Sequence, residues 1–251
     1  MRALLALLLV LTAMPARAQQ VLDAIVARGT LRVGLTGDYK PFSIKDGAGQ
    51  FEGLDVDMAN SLAKGLGVKL EVVPTAWPNL MADLQSGKFD VAMGGITITL
   101  DRAKTALFST AVMRSGKTPI ARCADRDKYA TLAQIDQPGT RVIFNPGGTN
   151  ERFARANATH AQLVLFPNNA TIFEEIVQNH ADVMMTDAVE TRVQQKLHPE
   201  LCALHPDAPF DTSELAYMMP RDPMLQQFVN QWLEIQSLTG ERTRAVAKWL
   251  E

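Results

Sequence analysis

The chain has 251 residues, of which 47% are hydrophobic and 21% charged, and its formal net charge is −2 at pH 7. This is the profile of a globular protein long enough for one large domain or two lobes. So slight an acidic balance favours neither nucleic acid nor an anionic lipid surface as a partner.

Residues 1–18, "MRALLALLLVLTAMPARA", carry Arg2, an apolar run from Ala3 to Ala13, and Ala16-Arg17-Ala18 at the end. That order predicts a secretory signal cleaved after Ala18, and hence a periplasmic protein. An uncleaved anchor is the alternative, although the run is short for a stable span. No second run of ~18 apolar residues follows, so no membrane insertion is expected after cleavage. Cleavage removes two arginines and no acid from the net charge of −2, leaving −4.

Next, "GTLRVGLTG" predicts a short strand between glycines. "FEGLDVDMANSLAKGLGV" predicts a helix with Leu54, Met58, Leu62 and Leu66 on one side. "KLEVVPT" predicts a strand, "WPNLMADLQSG" a helix ended by Gly87, and "FDVAMGGIT" a buried strand. Such alternation predicts βαβ units and a parallel sheet. The rhythm restarts after Cys123, where "TLAQI" opens a helix with Thr131 as its cap and Gln134 three residues on. Strand "TRVIFN", turn "PGGT", helix "NERFARANA", strand "QLVLF", helix "ATIFEEIVQNH" and strand "ADVMMT" follow. "ELAYMMPRD" predicts another strand, and "PMLQQFVNQWLEIQSL" a final amphipathic helix.

Cys123 and Cys202 are the only cysteines. In an oxidising compartment an even pair is most simply one disulfide, with two free thiols or half of a metal site as the alternatives. A bridge would tie the start of the middle third to its end. The expected organisation is therefore residues 19–116 with 212–251 in one lobe and residues 117–211 in the other.

The order "GTLRVGLTGDYKPFS", "FEGLDVDMANSLAKGLG", "FDVAMGGITITLDR" resembles the periplasmic amino-acid-binding proteins, the solute receptors of ABC transporters. The resemblance covers essentially the whole mature chain. It implies an α/β, type II periplasmic-binding-protein fold: two lobes, each a mostly parallel sheet flanked by helices, closing on a ligand by hinge bending. Within that family "TAWPNLMADL", "RSGKTPIARC", "NPGGTNERFARAN", "TIFEEI", "MMTDAVETR" and "LHPELCALHPDAPFD" are similar to the cyclohexadienyl dehydratases. Those enzymes turn prephenate into phenylpyruvate and arogenate into phenylalanine. Their substrate is a cyclohexadiene with a ring carboxylate, a hydroxyl across the ring, and a side chain ending in a second carboxylate. An enzyme must grip those carboxylates, exclude water and protonate the leaving hydroxyl. No cofactor or metal is called for.

The resemblance assigns roles by position. Arg102 would bind an α-carboxylate, with Thr97 and backbone amides near Gly95 completing that pocket; a planar fork of donors suits a carboxylate. In "PGGTN", Thr149 and Asn150 sit where a strand turns into a helix, a ready anion site or an ordinary cap. Lys117 would face the cleft and attract the ring carboxylate, although lysines are more often solvated. Trp77, Tyr39 and Phe42 would wall the ligand or merely pack the core. Asp187 matches the aspartate that accepts an α-ammonium in receptors. Glu190, one helical turn on, matches the dehydratase general acid, and burial beside Asp187 would raise its pKa. A solvated helix-surface glutamate is the plain alternative. Glu174 and Glu175 read as a wet helix face, and Asn157 and Asn169 fit the glycosylation pattern. Two functions stay open: the dehydratase, and a non-catalytic receptor handing a dicarboxylate or amino-acid ligand to a transporter permease.

Overall fold

The computed structural model describes residues 20–250. The secretory signal expected over residues 1–18 lies outside the described residues.

Helix α1 (Val21–Arg28) leads into β1 (Thr30–Leu35), and a three-stranded meander, β2 (Asp38–Tyr39), β3 (Ser43–Lys45) and β4 (Phe51–Glu52), precedes α2 (Leu54–Leu66). Strand β5 (Lys69–Pro74), a 3₁₀ turn at Trp77–Asn79, α3 (Leu80–Gln85), β6 (Val91–Ala92), α4 (Leu100–Ala103) and β7 (Leu107–Phe108) follow. Then come β8 (Met113–Ser115), β9 (Lys117–Arg122), α5 (Leu132–Ile135), β10 (Arg141–Phe144) and α6 (Thr149–Asn157). The rest is β11 (Gln162–Leu165), α7 (Ile172–Val177), β12 (Val183–Asp187), α8 (Ala188–Leu197) and β13 (Leu201–Ala203), then β14 (Ser213–Leu215), β15 (Met218–Met219), α9 (Pro223–Leu238) and α10 (Glu241–Leu250).

Two five-stranded sheets result, ordered β5-β1-β6-β15-β7 and β11-β10-β12-β9-β13. Strand β1 runs parallel to β5 and β6, and β10 parallel to β11 and β12. Strands β15 and β9 run antiparallel to their neighbours. The chain passes between the sheets twice, and those two passages, β8 and β14, pair with each other in an antiparallel ribbon. In the second sheet the period-2 alternation of side chains is plain. Val142, Phe144, Val183 and Met185 pack on one face with Ala154 of α6. Ile143 and Met184 pack on the other with Phe173 and Ile176 of α7. Trp232 and Leu233 of α9 pack with Leu31, Val33 and Leu62 against the first sheet, in a different cluster from Phe144.

Four expectations need revision. The strand read over "FDVAMGGIT" is confined to Val91–Ala92, with an isolated bridge from Thr97 to Leu215, because Gly94 (φ 107°) and Gly95 (φ 70°) turn the chain aside. The strand read over "ELAYMMPRD" is two, β14 in the ribbon and β15 in the first sheet. The helix read from Phe51 starts at Leu54, since Phe51 and Glu52 pair with β3. Helix α9 is followed by α10, whose charged sequence has no fully buried residue.

Cys123 and Cys202 form a disulfide spanning 79 positions, at the adjoining ends of β9 and β13. A Cys123→Ala/Cys202→Ala variant should lose about 4 kcal/mol of unfolding free energy on the chain-entropy account. Denaturant melts of the parent, with and without reductant, should differ by a similar amount. Coincident melts would contradict that contribution.

Candidate active site

Between the sheets lies a small, narrow cavity. The loop ends of the first sheet contribute Tyr39, Trp77, Gly95 and Thr97, and those of the second contribute Asn145, Thr149, Asn150, Asn169 and Asp187. The two walls touch. Tyr39 donates to Asp187 Oδ2 at 2.5 Å, Asn169 Nδ2 to the Asp38 carbonyl at 3.0 Å, and Thr97 and Thr149 hydroxyls lie 3.4 Å apart. Gly147 sits so close to Pro78 that a Cβ there would fall 2.4 Å from its nitrogen.

A buried polar network fills the second-sheet wall. Lys117 Nζ donates to Asn150 Oδ1 at 2.6 Å and Asp187 Oδ1 at 2.9 Å, and both members of the ion pair have side chains at most 4% exposed. Asn150 Nδ2 donates to Thr186 Oγ1 at 2.9 Å, and Thr186 in turn donates to Glu190 Oε2. Both oxygens of Asp187 are therefore taken, by Lys117 and Tyr39. The expected ammonium acceptor is already ion-paired.

Glu190 is fully buried in the first turn of α8, against Thr186 and Asp187 rather than on the cavity's surface. Burial pushes its carboxyl well above the ordinary 4.5, and the Asp187 charge adds to the rise; the Thr186 hydrogen bond and the Lys117 ammonium oppose it. Its Oε1 is buried with no protein partner. A carboxyl pushed up by burial and with one oxygen unsatisfied by protein has the properties a general acid requires.

The aromatic residues gather as a wall. Tyr39 and Trp77 meet edge to face with centroids 5.7 Å apart, and Phe42 backs Tyr39 at 5.1 Å. Phe42 is fully buried behind the cavity. Trp77 is held by Nε1 donating to Asp38 Oδ1 at 3.0 Å.

The amides expected to meet a ligand near Gly95 are turned inward. Gly94 and Gly95 N–H both donate to Asp55 Oδ2, at 2.8 and 2.9 Å, and Tyr217 donates to Asp55 Oδ1 at 3.0 Å. Asp55 is 1% exposed, and burial raises its pKa to about 6 against the pull of those donors. A Cβ on Gly95 would fall 2.5 Å from Phe42 and 2.7 Å from Tyr39. The corner therefore fits only glycine.

Arg102 opens onto a second, outer chamber, which shares Trp77 with the first and is also lined by Pro78, Thr105 and Arg152 of α6. It is 5% exposed, donates to the Thr97 carbonyl at 2.8 Å, and has no carboxylate partner among the described residues. Burial and the like charge of Arg152 lower its pKa to about 10. Such a cation is prepared for an anion.

The model of the bacterial extracellular solute-binding proteins, family 3, matches residues 31–251. The chain belongs to that family. Its members are exported binders of small solutes, and no helix of the described residues is long and apolar enough to cross a membrane. The chain is 54% identical to the cyclohexadienyl dehydratase of Pseudomonas aeruginosa, over 92% of this chain and 86% of that protein. Its fold matches the crystal structure of AncCDT-1, an ancestral amino acid-binding protein and precursor of cyclohexadienyl dehydratase, with a TM-score of 0.86 at 38% identity. That match covers 92% of this chain and 99% of the other. A variant of an ancestral cyclohexadienyl dehydratase, AncCDT-3, is 52% identical over 93% of this chain and 97% of its own, with a TM-score of 0.59. The two-lobed α/β fold expected from the sequence is thus the fold of its family.

Of the residues singled out in the sequence, Lys117, Asn150, Asp187 and Glu190 form one network, and Tyr39, Trp77, Gly95, Thr97 and Thr149 line the cavity beside it. Arg102 lines the neighbouring chamber and is joined to the cavity wall through its bond to the Thr97 carbonyl. Asp38, Asp55, Asn145 and Arg152 join the site only through the fold. Asn169, which fits the glycosylation pattern, is 3% exposed and bonded across the cleft, so a glycan has no room there.

Proposed function

We propose that the chain is a cyclohexadienyl dehydratase of the periplasm, released there by cleavage after Ala18. It converts prephenate to phenylpyruvate and arogenate to L-phenylalanine. The observation that carries this reading is Glu190: buried, resistant to ionisation, and holding one oxygen that no protein group satisfies. In the reaction the bond from the ring to its carboxylate breaks and carbon dioxide leaves. The released electron pair enters the ring as the bond to the hydroxyl across it breaks. Glu190 gives its proton to that hydroxyl, which departs as water, and the ring is aromatic. Glu190 regains a proton from solvent when the lobes part.

Lys117 and Asn150 are assigned as the groups that hold Asp187 and Thr186 in place around the acid. Their buried contacts leave Lys117 less free to meet the ring carboxylate than its sequence position implies. Thr97 and Thr149 would bind substrate from opposite walls, Tyr39, Trp77 and Phe42 would confine the ring, and Arg102 would take the side-chain carboxylate. Residues 19–116 and 212–251 are assigned to one lobe and residues 117–211 to the other. The committed oxygens of Asp187 weigh against any ligand that would place an α-ammonium there, an amino acid bound by a receptor or arogenate alike, and favour prephenate, which has a ketone at that position.

Incubating purified protein with prephenate or arogenate, then reading phenylpyruvate absorbance in alkali or phenylalanine by chromatography, tests the reading. Turnover above the uncatalysed rate is expected. Binding of an amino acid with no turnover of either would leave the receptor function instead. Arg102→Ala should weaken substrate and product together by at least ~10-fold, the scale of a lost charge-assisted contact. Unchanged product affinity would remove Arg102 from the shared grip.

A further inference from the structure

The outer chamber carries more positive charge than one carboxylate requires. Arg102 enters it from the first-sheet side, Arg152 from the N-terminal turn of α6 on the opposite wall. Neither makes an ion pair with a carboxylate among the described residues; Asp101 and Glu151 lie near enough to feel the Arg152 charge, but each has a closer cationic partner. Glu151 accepts from the Gly147 amide at 2.7 Å and pairs with Arg155 at 2.9 Å. Asp101, exposed at the chamber's rim, pairs with Lys104 at 2.9 Å. Two like charges on opposite walls repel when the cleft closes, unless an anion lies between them.

The acid and these cations belong to different chambers that share Trp77. Glu190, with Thr186 and Asn150, lies behind the second-sheet wall of the inner cavity, and the arginines line the outer one. In the substrate the two carboxylates hang from one ring carbon, and the leaving hydroxyl is on the carbon across the ring. A molecule with its hydroxyl toward Glu190 therefore presents both carboxylates toward Arg102 and Arg152.

We propose that Arg152 is the second-lobe half of a split anion clamp with Arg102, and that it selects ligands with two carboxylates at one end over those with one. The clamp rests on the dehydratase reading for its natural ligand, but it acts on binding and is tested without turnover. A single carboxylate satisfies Arg102 and leaves Arg152 facing it across the closed chamber; a second satisfies both. The clamp also favours release, because the product has lost one of its two carboxylates.

Benzylmalonate and 3-phenylpropanoate form a matched, unreactive pair that differ by one carboxylate on the same carbon. Calorimetry at mildly alkaline pH should find benzylmalonate bound at least roughly 10-fold more tightly by the parent, as one additional charged contact implies. In Arg152→Gln the ratio should fall to within about threefold, whereas Arg152→Lys, which keeps the charge, should retain most of it. Arg152 is exposed, so the variants should melt with the parent. No preference for benzylmalonate in the parent, or the same ratio in Arg152→Gln, would overturn the clamp. Failure of prephenate turnover with the ratios as expected would count against the dehydratase alone.

Discussion

Glu190→Gln should bind product within a few-fold of the parent while its turnover of prephenate falls by at least ~10²-fold, the lower end of general-acid effects. The amide is nearly isosteric, can accept from Thr186 and can donate where Oε1 has no partner, but it has no proton to deliver at a useful pKa. The parent's turnover should fall as pH rises through the raised pKa of Glu190, because only the protonated form acts. The same shift has a stability consequence. A carboxyl whose folded pKa exceeds its unfolded value of about 4.5 favours the fold fully below that value. The contribution is lost as pH rises through the folded pKa, so Glu190→Gln should narrow the parent's loss of stability on the alkaline side of pH 4.5. Turnover in Glu190→Gln near the parent's would move the acid elsewhere, with Asp187 the first to examine.

Lys117→Met should lower both stability and turnover, and the two losses should separate in a double variant. Removing the ammonium leaves Asp187 buried without its cation, held only by Tyr39. Breaking a buried pair on one side costs about 3–5 kcal/mol, and the lower end applies here because an opened cleft re-solvates Asp187. In a chain of this size that is a melting-temperature loss of roughly 6–12 °C. Lys117→Met/Asp187→Asn removes both charges and should recover most of the stability. It should not recover turnover, since Asn150 and the acid lose the contacts that fix them. Equal melting of single and double variants would mean that the ion pair is solvated and weak. Recovery of turnover in the double variant would exclude an organising role for Lys117.

The course of the chain was legible wherever a local pattern decided it. Thr131 and Gln134 form the capping box that their spacing predicts, and Val183–Asp187 is the buried strand that its run of apolar residues predicts. The site's core was legible because a strand end and the next helical turn must place Asp187 and Glu190 together. The rest depended on distant partners. Asp55 looks like any acid in the first turn of a helix, and only the fold brings Gly94, Gly95 and Tyr217 to it. Those contacts are why the Gly95 amide, a reasonable ligand donor on sequence, is committed to the protein. Arg152 lies among other charged residues on a helix, and nothing local distinguishes it from a solvated arginine. The break of "ELAYMMPRD" into two strands has the same cause: Leu215 belongs to the ribbon and Met218 to a sheet.

Glu190, its pKa pushed up by burial, should keep its proton above the ordinary carboxylate range until that proton is used. Infrared difference spectroscopy of the product-bound protein against Glu190→Gln tests it most directly. The measurement belongs at a pH well above about 6, where Asp55, another buried carboxyl with a raised pKa, is ionised. A carbonyl band of a protonated carboxylic acid, present in the parent and missing from the variant, is the predicted result. Only the paired bands of a carboxylate differing between the two proteins would contradict it.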